Sequence, residues 1–358
     1  MFDPKVPQNN LQKLPGSFDF HNKNLYLKAL EAQKSLAKLN GLLHLLPNAD
    51  ILVTPLITAE SVSSSAIENI NTTTIEVLKA QALPQDFRLG AEKEVLHYRE
   101  AILYGYKLIQ ENNFLITNDL IEIQNIIEPN KSGIRSIPWT VIGNSRGEVL
   151  YTPPQGKDVI LDLLSNLEQF LNNQADEIYP LIKTGVIHYQ FEAIHPFYDG
   201  NGRTGRILMI LYLMMTKLLD YPVLFLSWYI NTHKNAYYQA LNATHKSDDY
   251  STIISYILEA ILVQSNITCN KIIGIQQLIQ YLEKQIPLVI KNDHWRIIRT
   301  LLQNPFISLQ NFADSIWVTR ITAKSYVEKM KAADLVRVTE VGKYSLISVV
   351  WFIELLSE

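Results

Sequence analysis

Twelve consecutive residues concentrate the reactive side chains of this sequence: His195-Pro196-Phe197-Tyr198-Asp199-Gly200-Asn201-Gly202-Arg203-Thr204-Gly205-Arg206. Pro196 biases His195 away from helical geometry, so the histidine ends a helix or sits in a loop. Gly200, Asn201 and Gly202 permit a tight turn with positive φ. The helical run from Arg203 onward puts that turn at a helix N-terminus, where backbone N–H groups converge and suit phosphate oxygens. Arg203 and Arg206, three apart, share a helix face and offer forked donors for more phosphate. Asp199 is an oxygen ligand suited to Mg²⁺ bridging phosphates. An imidazole titrates at about 6.5, so His195 can take a proton from an attacking hydroxyl at neutral pH. An anion nest, two arginines, a metal carboxylate and a base together describe phosphoryl or nucleotidyl transfer. Phe197 reads as the anchor holding this loop against the core. A capped helix entry with a surface arginine pair accounts for a lone Gly-Asn-Gly, but not for the whole constellation.

The elements that position these residues are mostly helical. Apolar residues recur at helical spacing over 22–46, 59–69, 74–82, 91–112, 118–127, 159–173, 178–192, 202–219, 235–246 and 250–283. Pro47 and Pro55 mark breaks, and Pro84 closes the helix before it. The stretch Gly133 to Pro154 differs. Two short β-prone runs flank Gly143-Asn144-Ser145-Arg146-Gly147 and make a hairpin ended by Pro153-Pro154. Pro287 to Asp293 reads as a linker. Beyond it, helices around 294–303, 309–316 and 322–333 precede two strands, 335–341 and 343–347, about Gly342, a winged helix-turn-helix order. The fold class is therefore all-α with one β-hairpin, plus a small C-terminal winged helix-turn-helix domain. The domain division is 1–95, 96–285 and 286–358.

Composition narrows the function classes. The 358 residues are 47% hydrophobic and 19% charged with a net charge of −3, which is globular and points to neither nucleic acid nor an anionic membrane. The longest unbroken apolar run, Ile207 to Met215, reads as a core helix and falls short of the ~20 residues of a membrane span. The single cysteine, Cys269, forms no internal disulfide and reads as a small buried hydrophobe. The N-terminus lacks the plan of a secretion signal. A cytoplasmic protein with no membrane partner is expected. His188 and His97 read as satisfied histidines rather than metal ligands.

The segment from His195 to Arg206 matches the Fic signature, HPFx(D/E)GNGRxxR, at every defined position. The resemblance implies a helical Fic core that transfers AMP from ATP to a hydroxyl side chain, Tyr, Thr or Ser, of a target protein and of itself. His195 would be the general base and Asp199 would hold Mg²⁺. Gly200, Asn201 and Gly202 would line the α- and β-phosphates with Arg203 in support, and Arg206 would meet the γ-phosphate; Thr204 and Gly205 complete the ATP-binding segment. Upstream, Ser64-Ser65-Ala66-Ile67-Glu68-Asn69 is similar to the family's inhibitory motif, (S/T)xxxE(G/N), with Asn69 in place of the commoner glycine. Ser64, Glu68 and Asn69 would then form an inhibitory helix whose Glu68 pairs with Arg206. A carboxylate and a phosphate cannot share one guanidinium fork in the same geometry. The 133–154 hairpin resembles the family's flap, on which a target segment docks by strand addition. Among Tyr229, Tyr237 and Tyr238, the last is favoured for packing the adenine, because family members place a tyrosine pair near the base. The tail resembles the winged-helix extension of one bacterial subgroup.

The tail itself carries nine basic and seven acidic residues from Lys291 onward. With Arg320, Lys324, Lys329 and Lys331 about the recognition helix, this is a thinner basic footprint than DNA readers show. Packing, dimerisation or target docking is favoured, and the apolar run Val349 to Ile353 should pack inward or across the boundary of a homodimer. Two other readings follow from the same residues: a DNA-binding regulator whose Fic-like segment only binds nucleotide, and Fic-type transfer of UMP, phosphocholine or phosphate.

Overall fold

The structure, a computed structural model, describes residues 2–46, 48, 50–84, 90–143, 146–291 and 293–357. Its elements in chain order are α1 (Lys23–His44), α2 (Asp50–Ile67), α3 (Thr74–Gln81), α4 (Ala91–Asn112), α5 (Thr117–Ile127), β1 (Ile142–Gly143), β2 (Val149–Tyr151), α6 (Lys157–Asn172), α7 (Pro180–Ile194) and α8 (Asn201–Met215). They continue with α9 (Leu226–Thr232), α10 (Lys234–Ser247), α11 (Ser251–Val289), α12 (His294–Gln303), β3 (Ile307–Ser308), α13 (Leu309–Ser315), α14 (Arg320–Ala332), β4 (Val336–Val341), β5 (Tyr344–Val349) and α15 (Val350–Ser357). Helix dominates, as the periodicity requires. The turn residues Asn144 and Ser145, the break at Pro47 and the linker residue Asn292 lie outside the described residues.

Two compact units interleave along the chain. One holds Met1–Ala37, His97–Pro222 and Leu226–Ser265; the other holds Lys38–Leu96, Val223–Phe225 and Asn266–Glu358. At the centre of the first, α7 packs along α6 and α8, and α8 also meets α5. From Leu181 to Ile194 only Glu192 is not fully buried, and α8 is buried from Arg203 to Met215. A helix that is buried all round belongs in a core. Gly185 lets α7 come to backbone contact with α11: a Cβ there would stand 3.0 Å from Ile254 Cα. The hairpin pairs β1 with β2 antiparallel, with a register irregularity at Ile142/Gly143.

In the second unit α12 packs on α2, and β5 is the middle strand of an antiparallel sheet ordered β3-β5-β4. Ile347 stands opposite both Ile307 and Val338. Within the C-terminal run, Val349, Val350 and Phe352 are buried, while Trp351 lies against Tyr281 with ring centroids 4.5 Å apart. The run packs inward, within its own unit.

Two sequence expectations, at Pro55 and Pro287, need correction. Helix α2 runs through Pro55 rather than breaking there. Pro55 leaves the Ile51 carbonyl without its helical donor, a cost of about 3 kcal/mol in a helix interior. Ile51, Leu52, Leu56 and Ile57 are all buried around it, and that packing outweighs the lost bond. Helix α11 likewise extends through Pro287 to Val289, shortening the linker. Pro287 leaves the Glu283 carbonyl without its helical donor, and the buried Ile286 and Ile290 beside it supply packing that offsets the loss. An 18-residue window of α11 reaches mean hydropathy 1.3, enough to cross a membrane by length and composition alone, with 56% of it buried inside the protein. Counting only unbroken apolar runs passes over this helix.

Candidate active site

The loop between α7 and α8 is built from two left-handed residues and one side-chain clasp. His195 leaves α7 with φ 48° and ψ 58°. Gly200 precedes α8 with φ 78°, a conformation glycine takes without steric cost. Between them, Asn201 Oδ1 accepts from Phe197 N–H at 2.8 Å, and Asn201 Nδ2 donates to Phe197 O at 2.9 Å. Phe197 is 1% exposed, the anchor its sequence context suggests. Gly200 N–H donates to Asp199 Oδ1 at 2.7 Å. The Thr204 N–H to Gly200 O bond, 2.9 Å, starts the ladder of α8. The N–H groups of Asn201, Gly202 and Arg203 therefore precede it and point out of the N-terminus.

Charge gathers on this turn. Arg203 is 2% exposed; its Nη2 pairs with Glu128 Oε1 and lies 3.6 Å from Asp199 Oδ1. Its Nε and Nη1, and the Thr204 hydroxyl, are buried with no hydrogen-bond partner among the described residues. A buried polar group left unsatisfied costs about 1–3 kcal/mol, so the chemistry of these donors suits an anion. Asp199 forms an ion pair with Lys131. Burial pushes the Asp199 carboxyl up, but the Lys131 and Gly200 hydrogen bonds and the nearby Arg203 outweigh it and hold the carboxyl below the usual carboxylate range. Arg206 is 1% exposed, and burial, with the Arg206 charge adding to it, pushes His188 down to about 3. His188 shares hydrogen bonds with Gly205 O (3.3 Å) and the Tyr237 hydroxyl (2.9 Å), so it is a neutral, satisfied core histidine.

The structure adds residues that sequence reasoning missed. Gln124 on α5 donates to Asp199 O and to Lys131 O, both at 3.0 Å, and accepts from Gly133 N–H at 3.1 Å. Glu128 and Lys131 flank the turn Glu128-Pro129-Asn130-Lys131-Ser132-Gly133, whose turn residues were the only sequence signal pointing to it. The hairpin is tied to the same loop. Arg135 N–H donates to Pro196 O at 2.9 Å, Ser136 N–H to the Tyr198 hydroxyl at 2.9 Å, and the Tyr151 hydroxyl to Ala193 O at 3.0 Å. Arg135 itself gave no signal in the sequence.

Tyr238 is exposed on α10, its ring 5.4 Å from that of the buried Tyr237. Tyr229 stacks on His233 at 4.2 Å. Ser64, Glu68 and Asn69 lie in the other unit. Ser64 is buried in α2, and Glu68 lies one residue past its last turn. Asn69 has φ 65°, and Ile70 N–H donates to Ser65 O at 3.0 Å, closing the helix end. A left-handed C-terminal position tolerates glycine best and asparagine next, which explains why either residue can follow the glutamate.

Comparison with known proteins follows this geometry. Residues 26–107 match the Fic/DOC family N-terminal model and residues 114–213 match the Fic/DOC family model. Relatives named Protein adenylyltransferase Fic include that of Aedes aegypti, 27% identical over 181 residues (49% of this chain, 34% of the relative). That of Nematostella vectensis is 28% identical over 195 residues (52% and 42%). The chain thus spans between a third and a half of these curated relatives' length. Among solved structures, a Fic family protein from Desulfovibrio desulfuricans G20 aligns with TM-score 0.56 and 18% identity over 92% of this chain and 96% of its own. Fic-1 from C. elegans aligns with TM-score 0.54 and 18% identity over 70% and 72%. At that identity the likeness carries the fold alone. With its turn between α7 and α8 matching the signature in full, the chain belongs to the Fic/DOC family.

Proposed function

We propose that this protein is a protein adenylyltransferase that moves AMP from ATP to a Tyr, Thr or Ser hydroxyl of a target protein and of itself. The observation that carries the reading is the buried Arg203, with Nε and Nη1 unengaged beside the open N–H groups of α8. A triphosphate laid over this turn supplies the missing acceptors. In the transfer, the target hydroxyl oxygen attacks the α-phosphorus and a new P–O bond forms. The bond to the β-bridging oxygen breaks, pyrophosphate leaves with that electron pair, and the hydroxyl proton passes to the His195 imidazole. Exposed Tyr238 is the residue proposed to cover the adenine.

Asp199 is the carboxylate proposed to hold Mg²⁺, an ion that neutralises phosphate charge when bound. Among the described residues no group of three or more His, Cys, Asp or Glu side chains could hold a metal. Asp199 would offer such an ion a single protein carboxylate, and would give up its ion pair with Lys131 to do so. The target segment is proposed to dock along the hairpin, where the apolar side chains of Ile137, Trp139 and Val141 are exposed. Glu68 is proposed to restrain the enzyme by pairing with Arg206 in place of the γ-phosphate.

Incorporation of label from α-labelled ATP tests the reading in wild type, Glu68→Gly and His195→Ala. A charge-assisted pair is worth about 1.5–3 kcal/mol, so Glu68→Gly should raise transfer about 10- to 100-fold. His195→Ala should abolish it. If Glu68→Gly protein modifies neither itself nor lysate proteins, the activity is wrongly assigned; a mass other than AMP on the product points to another transferred group.

A further inference from the structure

Arg135 and Arg206 are the largest fully buried side chains among the described residues, and the nucleotide reading leaves Arg135 without a role. Its guanidinium meets carbonyls rather than carboxylates. Nε donates to His195 O at 2.7 Å, and Nη2 donates to Ile194 O at 3.2 Å and to Pro154 O. A cation held out of water without a counter-ion is costly, and the cost is met only where the surrounding dipoles are well placed. Here they are. Ile194 O and His195 O are end carbonyls of α7, which lack intrahelical donors and sit at the negative end of the helix dipole. Pro154 O comes from the exit of the hairpin. One planar fork therefore joins the end of α7, the histidine that follows it and the base of the hairpin.

His195 is also one of the nine non-glycine residues with positive φ among the described residues, and the one at the candidate site. A non-glycine residue at φ 48° is in a sparsely populated region, and such a conformation persists only when its surroundings fix it. We infer that Arg135 is a positioning residue for the transfer: it holds His195 in this conformation and sets the spacing between the base and the target-docking hairpin. The inference rests on the adenylyltransferase reading. Lysine is a poor substitute, because a single ammonium cannot reproduce a fork reaching three carbonyls.

The test uses the full chain carrying Glu68→Gly, with Arg135→Lys or Arg135→Met added. In Arg135→Met, kcat for AMP transfer per nucleotide-binding molecule should fall about 100-fold, the scale of an ångström-sized misplacement. The Kd for ATP should stay within about threefold of the parent, because the side-chain bonds of Arg135 go to Ile194, His195 and Pro154 rather than to the Gly200–Arg206 segment. Arg135→Lys should fall between the two. A second readout needs no turnover: the ring proton–carbon resonance of His195 in histidine-labelled protein should move in Arg135→Met, and move less in Arg135→Lys. A parent-like kcat or an unmoved His195 resonance in folded Arg135→Met overturns the inference. Should Arg135→Met fail to fold, Arg135→Lys decides, and parent-like behaviour on both readouts overturns it. A Glu68→Gly parent that transfers nothing refutes the adenylyltransferase reading instead, and the His195 resonance still decides what Arg135 does.

Discussion

Replacing Asn201 by alanine should unfasten the turn that carries the candidate site. The Asn201 side chain is 3% exposed and makes two bonds to Phe197, accepting from its N–H at 2.8 Å and donating to its carbonyl at 2.9 Å. Phe197 is itself 1% exposed, so water does not replace either partner. Each buried backbone group left unsatisfied costs about 1–3 kcal/mol, and the pair together about 2–6 kcal/mol. For a unit of this size each kcal/mol lowers the unfolding midpoint by about 2–4 °C, so Asn201→Ala should melt roughly 4–24 °C below wild type. Thr204→Val is the matched control three residues on. It removes a buried hydroxyl with no partner, so it should leave the midpoint unchanged or raise it slightly. Scanning calorimetry with and without ATP separates the effects: both variants should lose affinity for ATP, but only Asn201→Ala should lose stability. A midpoint for Asn201→Ala within about 2 °C of wild type would show that the clasp is not what closes the turn.

The remaining predictions concern the core behind the site. His188 is held neutral by burial and by Arg206, with its pKa pushed down to about 3. A depressed folded pKa means that this stability is fully present above the unfolded value of about 6.5 and is lost as pH falls from there toward 3. Through that window the unfolded chain binds one more proton, a slope of about 1.4 kcal/mol per pH unit. His245, pushed down to about 4 by burial, adds in the same direction. Urea unfolding between pH 7 and pH 4.5 should therefore show a shallower pH slope for His188→Gln, and an unchanged slope would refute the assignment. Gly185→Ala should cost about 1–3 kcal/mol, because its Cβ would stand 3.0 Å from a backbone atom, Ile254 Cα, that cannot move aside alone. An unchanged urea midpoint would mean that α7 and α11 are less tightly packed than their geometry indicates.

Much of this protein is written in short-range terms. The limits of α4, Ala91 and Asn112, follow from its apolar period and first-turn acids, and the strands beside Gly342 follow from β-prone runs around a turn. The turn from His195 to Arg206 is equally local. A proline sets the geometry of the residue before it, glycine permits a left-handed cap, and a helical run fixes where the N–H groups point. Asn69 is the same kind of signal, since the sterics of one residue decide how α2 ends.

What the chain order does not record is which distant groups meet in the core. Glu128 reaches Arg203 across 75 positions, Gln124 reaches Asp199 across 75, and Arg135 reaches His195 across 60. No periodicity announces these pairs, because each depends on two elements packing at one distance and on water being excluded between them. Pro55 and Pro287 show the same limit from the other side. Their local preference is to break a helix, and the packing of buried neighbours overrules it at both positions. Residue types and turn sterics thus locate the reactive groups, whereas burial decides which of them are braced, which are neutral and which are left with donors to offer. Desolvation and long-range contact exist only once the chain is folded.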